Sequence, residues 1–467
     1  MKFEKLSYPA DWGVFSLQEV CSCITSGGTP SRKNEDFYKN GSVCWVKTKE
    51  LENYYIYDTE EKITSDAIKN SSAKILPQNT ILLAMYGATV GELGILSKDM
   101  ACNQACCALI VNSDQFDYRY VFYLLKLHKK EIQSLATGAA QQNLSATVIR
   151  DFTFGFPILE KQKNIANILE CLDKKIQLNT QTNQTLEAIA QAIFKSWFVD
   201  FDPVRAKAQA ISDGKTSDEA NLSAMAVISG KAVEDLSQTE YQQLWEIADA
   251  FPSELVENAE FGEAPKGWEI LSVGDVATIT KGKSYKSSEL EPSSTALVTL
   301  KSFNRGGGYR LDGLKEYSGT YKAEQEVFAG DLIVAYTDVT QAADVIGKPA
   351  MVMSDSRYEH LVISLDVGVV RPKNEKFKYF LYCLAMTDLF QNHTKSFCTG
   401  TTVLHLAKEA VPSFEFIKPN DNLIDLFDNL VSSMFIKING HIEENKNLEK
   451  TRDLLLPKLL SGELFNE

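Results

Sequence analysis

After Pro157 the apolar residues fall three or four positions apart, at Ile165, Ile168, Leu169, Leu172, Ile176, Leu186, Ile189 and Ile193. That spacing draws one stripe along a helix, predicted from Glu160 to Phe198. A second stripe follows Pro419, at Phe427, Leu430, Val431, Met434, Ile438, Leu448 and Leu455. A proline just ahead of each suits a helix start. The first helix would be about 58 Å long at ~1.5 Å per residue. A single stripe on so long a helix needs a partner, and the other helix is the obvious one, packed as a coiled coil. Asn179 and Asn183 interrupt the first stripe, and His441 and Asn445 the second. Either these polar residues sit in the seam and fix its register, or the stripe drifts and they face water.

Outside the helices the pattern changes. "AKILPQNTILLAMYG" and "QEVFAGDLIVAYTD" are short β-rich runs around turn-like Pro-Gln-Asn and Gly-Asp. "CCALIV" and "LVISLDVGVV" read as buried strands, and "YRYVFYLLKLHKKEIQ" and "FKYFLYCLAMTDLFQ" as the helices after them. The order recurs because the chain is written twice. A shift of 262 aligns Thr137–Phe198 with Thr399–Leu460 without a gap, including the phrase Phe-x-Phe-x-x-Pro at Phe152–Pro157 and Phe414–Pro419. Further upstream the echo is weaker: "DWGVFSLQEV" against "GWEILSVGDV", and "LPQNTILLA" against "FAGDLIVAY" at a shift of about 252. The reading is a duplication of one mixed α/β domain followed by a long helix. It divides the chain into a first domain (1–157), a central helix (158–200), a connector (201–264), a second domain (265–419) and a C-terminal helix (420–467).

Composition is that of an ordinary globular protein, 44% apolar and 24% charged. There is no apolar run of 18 residues and no secretory h-region, so a cytoplasmic protein without a membrane span is expected. Nine cysteines without a C-x-x-C pair, and five scattered histidines, favour buried thiols over a metal site. The net charge of −14 at first disfavours nucleic acid, but Ile211–Pro265 alone holds 12 acidic and 2 basic residues, leaving −4 for the rest. Within this acidic connector, "LSAMAVISGKAVEDLSQTEYQQLWEIADAFP" has enough apolar residues for one or two short helices.

Catalytic signatures are missing. There is no P-loop, nucleophile elbow, kinase set or dinucleotide fingerprint, and no Asp/Asn-Pro-Pro-Tyr/Phe of amino-methyltransferases. Polar loops are present instead. In the first half they offer Thr29 and Arg32 in "SGGTPSRK", Lys47, Thr48 and Lys49 in "WVKTKEL", Tyr86 and Thr89 in "MYGATVG", Asn103 and Gln104 in "CNQACC", and Gln141 in "TGAAQQN". In the second half they offer Lys281, Lys283 and Tyr285 in "TKGKSYK", and Lys301, Arg305 and Tyr309 in "KSFNRGGGYR". Lys and Arg suit phosphates, and Arg, Asn and Gln suit base edges. Asn103 and Gln104 have a structural alternative, holding the loop ahead of a buried strand.

These phrases, with "QQNLSATVIRDFTFGFPILEKQKNIANILECLDKKI", "SWFVDFDPVRAKAQ" and "PKGWEILSVGDVATITKGKSY", resemble the specificity subunits of type I restriction–modification enzymes over nearly the whole chain. The resemblance implies an α+β fold. Two α/β target-recognition domains would be joined by two long helices packed as an antiparallel coiled coil, with an internal pseudo-two-fold repeat. It implies a non-catalytic subunit in which each domain reads one part of a bipartite double-stranded DNA target. The helices would set the spacing and dock two modification subunits, and restriction subunits through them. No cofactor is expected on this chain; S-adenosylmethionine, ATP and Mg belong to the partners. The second half departs from the family phrases, with "GKSYK" and "HLVISL" where "GGTP" and "NQ" would stand. The alternatives are a coiled-coil scaffold with two protein-binding domains, which would lack salt-sensitive DNA affinity, and an enzyme, which would turn over alone.

Overall fold

A computed structural model describes residues 8–51, 54–136, 143–259, 261–339, 343–401 and 403–465. The chain divides into two units, Met1–Thr180 with Glu444–Glu467, and Gln181–Glu443. Each unit therefore contains one domain and a part of both long helices, which run Leu159–Phe198 and Asp421–Leu460.

The repeated Phe-x-Phe-x-x-Pro phrase is the strand that closes each domain. In the first unit Thr153–Phe156 pairs antiparallel with Gly13–Ser16, Ser16 facing Thr153. In the second, Glu415–Lys418 pairs with Glu269–Ser272, Ser272 facing Glu415. Alternate residues of a strand share a face, so Phe152, Phe154 and Phe156 are buried together, as are Phe414 and Phe416. Proline then stops the ladder, having no N–H to give, and the helix begins.

Between those two strands each unit repeats one topology. The first has a five-stranded sheet in the order Cys21–Ser26, Cys106–Val111, Ile81–Ala84, Leu93–Leu96, Tyr55–Ile56. Beside it lies a three-stranded sheet, Lys62–Ile63, Val43–Val46, Ala101–Cys102. The second unit has Ala277–Lys281, Val367–Pro372, Leu332–Ala335 and Pro349–Met351 in one sheet. Its next sheet runs Lys315–Glu316, Thr295–Val298, His360–Ile363, Glu326–Val327. Apolar helices, Tyr118–Leu127 and Lys378–Met386, cover the larger sheets and are buried over most of their length.

The helices pack antiparallel within each unit. In the first, Ile165, Ala166 and Leu169 share a core with Leu456, Leu459 and Leu460. In the second, Phe194, Trp197 and Phe198 meet Phe427 and Val431. Ile168, expected on the stripe, is exposed, because the 4-3-4 run Ile165, Leu169, Leu172, Ile176 already lines the seam there; Ile189 is exposed as well.

The polar interruptions are seam residues. Asn179 is 2% exposed and its amide donates to Glu444 Oε2 at 2.7 Å and Asn445 Oδ1 at 2.8 Å. In the second unit Asn183 Oδ1 lies 2.7 Å from His441 Nδ1. Such pairs align only in one register. Replacing Asn179 by alanine removes both bonds, while Glu444 keeps Lys175 at 3.2 Å, and is expected to cost about 0.5–1.5 kcal/mol, read as faster hydrogen exchange along residues 172–180.

The connector stretch expected to form one or two helices holds two, Ser217–Ser229 and Gln238–Ala250; a further helix, Asp202–Ser212, precedes them, and a hairpin of Leu255–Asn258 and Gly262–Pro265 follows. Ala224, Met225 and Ala248 form a small core there. The Lys207 ammonium is buried and donates to the Ala248 and Phe251 carbonyls at 2.9 and 2.6 Å, at the C-terminus of the third helix where a cation is favoured. Part of the acidity is also accounted for locally: Glu219 and Glu240 complete capping boxes with Thr216 and Ser237. No helix among the described residues is long and apolar enough to cross a membrane.

Candidate nucleic-acid interface

The first polar loop is built by close backbone approach. A Cβ on Gly27 would lie 2.3 Å from the Cys102 and Asn103 carbonyl oxygens, and one on Gly28 2.3 Å from the Ser72 carbonyl. Only glycine lets the strand Cys21–Ser26 run on into this contact. Trp45 Nε1 donates to the Gly28 carbonyl at 2.9 Å, and Tyr38 Oη to the Pro30 carbonyl at 2.6 Å. The loop thus delivers Arg32 over the Tyr38 ring, 4.2 Å from its centroid.

Arg32 meets the lysines through two carboxylates that the sequence did not flag. Its guanidinium pairs end-on with Glu61, Nη2 to Oε2 at 2.8 Å. Lys47 Nζ lies 3.0 Å from the same carboxylate and 3.6 Å from Glu60, and Lys49 pairs with Glu60. Three cations and two carboxylates leave this patch only weakly positive. The Arg32 hydrogen bond, with help from Lys47, holds Glu61 at about 2 against the opposing effect of partial burial. These pairs are present above the ordinary carboxylate value and are lost as pH falls towards 2.

The other first-half candidates are nearby in chain terms but differently used. Thr48 opens a short 3-10 turn, Thr48–Glu50. Thr29 donates its hydroxyl to Gln104. Asn103 accepts from the Ala105 N–H at 3.2 Å, so it holds its own loop. Tyr86 bridges to Asn143, and Thr89 donates back to the Tyr86 carbonyl at 3.4 Å. Gln141 lies outside the described residues.

The second unit places its candidates at equivalent positions, despite the different sequence. A Cβ on Gly282 would lie 2.3 and 2.2 Å from the Ile363 and Ser364 carbonyl oxygens, as one on Gly27 would from those of Cys102 and Asn103. The Asn103 N–H bonds the Val46 carbonyl; the Ser364 N–H bonds that of Val298. Hence Lys283 stands where Gly28 does, and Lys301 where Lys49 does. Lys283 Nζ donates to Thr320 Oγ1 at 3.2 Å, and the Tyr285 hydroxyl accepts from Lys315 Nζ at 3.2 Å. Lys281 sits over the Tyr336 ring, 4.3 Å from its centroid. Burial, with Lys408 nearby, pushes its ammonium below the ordinary lysine value. Lys301 is exposed; Arg305 is 84% exposed, with Asp344 at 4.0 Å. Tyr309 is half-buried, and its hydroxyl is buried without a hydrogen-bond partner among the described residues.

Sequence reasoning missed Glu60, Glu61, Tyr38 and Lys315. Nothing in their neighbours' spelling marks them; only strand register brings them to the loop. All nine cysteines are free, and among the described residues no His, Cys, Asp and Glu group is arranged to hold a metal.

Comparisons with known proteins agree on one family. The model of the type I restriction modification DNA specificity domain matches residues 9–188 and again 265–424. The specificity subunit of the Haemophilus influenzae type I restriction enzyme HindI is 30% identical, over 97% of this chain and 100% of its own length. That of the Methanocaldococcus jannaschii enzyme MjaIX is 26% identical over 98% of this chain and 94% of its own. Among solved structures, an S subunit of a type I restriction-modification system from M. genitalium shares the fold. Its TM-score is 0.50 at 16% identity, covering 97% of this chain and 98% of that one.

Proposed function

Because the chain belongs to the family of type I restriction–modification DNA specificity subunits, we propose that each of its two domains reads one part of a two-part DNA target. It is the non-catalytic, DNA-recognising component of such an enzyme, with DNA and methyltransferase subunits as partners. The observation that carries the two-part reading is the duplicated frame. The same loop, between the strand ending at Ser26 or Lys281 and the turn at Thr48–Glu50 or Leu300–Ser302, carries the basic residues in both units.

Different side chains on one frame give unlike half-sites. The antiparallel helix pair would fix the gap between them and dock two modification subunits, and restriction subunits through these. S-adenosylmethionine for adenine N6 methylation, and ATP with Mg for restriction, would belong to those partners, in the cytoplasm. The chain's acidity is compatible with DNA when partners supply much of the phosphate neutralisation.

The test is binding by the complex of this chain with its modification subunits, titrated across salt concentrations. Affinity for DNA that falls steeply with salt is expected, with one sequence competing better than its scrambled version. Salt-independent or sequence-blind binding would favour the protein-binding scaffold.

A further inference from the structure

The two units differ most informatively at one register position. In the first, Trp45 lies opposite Glu61, its N–H bonding the Glu61 carbonyl at 3.3 Å, one step beyond the pair Cys44 and Lys62. In the second, the corresponding pair is Leu297 opposite Lys315, one step beyond Ala296 and Glu316. The parallel ladders support the match independently. Trp45 faces Ala101 and Leu297 faces Val362, and the loop N–H groups of Gly28 and Lys283 bond the next residues, Cys102 and Ile363. One position thus carries a carboxylate in one domain and an ammonium in the other.

The neighbours change with it. Glu61 faces Arg32 and Lys47; Lys315 faces Tyr285, and Thr299 stands where Lys47 would be. An end-on pair with Glu61 uses Nη1 and Nη2 of Arg32, and leaves the side-on edge, Nε–H with an outer Nη–H, for bidentate contact with a base. Stacking on Tyr38 holds the plane of the guanidinium. A carboxylate already shared by Arg32 and Lys47 also limits how strongly they seek phosphates. Among the described residues no carboxylate is paired with Lys315, which keeps two further donors beyond the one given to Tyr285.

We infer that this position is the specificity determinant of each recognition loop: Glu61 is a positioning residue that aims Arg32 at a base edge, and Lys315 is itself a DNA-contacting residue. The inference rests on the two-part reading proposed above. Glu61→Gln then lets Arg32 and Lys47 turn to phosphates. Sequence-independent affinity rises, and the slope of log affinity against log salt steepens by about one to two. Lys315→Gln acts only on the second domain.

The experiment is adenine methylation mapped genome-wide for the wild-type complex, Glu61→Gln and Lys315→Gln, together with salt titrations of DNA binding and thermal melting. A wild-type map with no two-part motif would remove the underlying reading. Given such a motif, Glu61→Gln is expected to relax one half, discriminating at least about fivefold less at one base. Lys315→Gln should relax the other half, and the gap should stay unchanged in both. Arg32→Ala, at an exposed site, must relax the same half as Glu61→Gln, and this holds the test if the Glu61 variant does not assemble. Glu61→Asp should restore part of the discrimination. Two unaltered half-sites, or an even loss at both halves with a lowered melting temperature and unchanged salt slope, would overturn the inference.

Discussion

Replacing Asp173 by alanine is expected to destabilise the first unit by about 3 kcal/mol or more. Asp173 lies on the first long helix and is 4% exposed. Its carboxylate accepts from Tyr123 Oη at 2.9 Å, Arg452 Nη1 at 2.7 Å and Lys126 Nζ at 3.2 Å. It thereby ties the domain's covering helix and both long helices together. Without it the Lys126 and Arg452 cations face each other, and only Asp453, beside Arg452, is left to balance them. Burial already holds Lys126 below the ordinary lysine value, with Asp173 opposing that effect. In the variant Lys126 gives up its proton at lower pH when folded than when unfolded. The unfolded state then binds more protons, so the deficit shrinks as pH rises towards the ordinary lysine value. Chemical unfolding of wild type and variant across pH checks both parts. A deficit below about 1 kcal/mol, flat with pH, would mean that the ion cluster contributes no more than an exposed pair.

Phe427→Ala should cost about 3–5 kcal/mol in the second unit. The ring is fully buried, with centroids of Phe198, Phe194 and Trp197 at 5.3, 5.8 and 6.1 Å. Three aromatic rings anchored on another helix cannot collapse into the space it leaves, so transfer and cavity terms add. This contact joins the start of the second long helix to the end of the first. Its loss should therefore free the amides around Phe194–Phe198 to exchange, while those of Ile165–Leu169 in the first unit stay protected. Equal loss in both units would contradict the division of the fold.

Much of this fold was legible because the closing strand and the helix after it cannot change length. Each Phe-x-Phe-x-x-Pro strand must face its partner and then enter a seam, so the shift of 262 survives without a gap from Thr153/Glu415 onward. Upstream the same equivalence drifts, through 255 at Gly27/Gly282, 252 at Trp45/Leu297 and 254 at Glu61/Lys315, because loops between strands tolerate insertions. The echo therefore faded where the contact loops lie. Side-chain identity gave no help: Trp45 and Leu297 fill the same place with different shapes. The carboxylates at Glu60 and Glu61 looked like any exposed acids until register put them beside Arg32 and Lys47. The two helices expected of the connector also carry explicit start signals. Thr216-x-x-Glu219 and Ser237-x-x-Glu240 are capping boxes that announce two helix starts, in addition to Pro203 at the first.

The central claim is that one chain carries two unlike readers on one duplicated frame. Its most direct test is to express the chain with its modification subunit in a host free of adenine methylation and to map modified adenines genome-wide. The account predicts one motif in two unlike parts separated by an unspecified gap of fixed length, present only when this chain is present. A single contiguous motif, a variable gap, or no new methylation from a complex that assembles would contradict it.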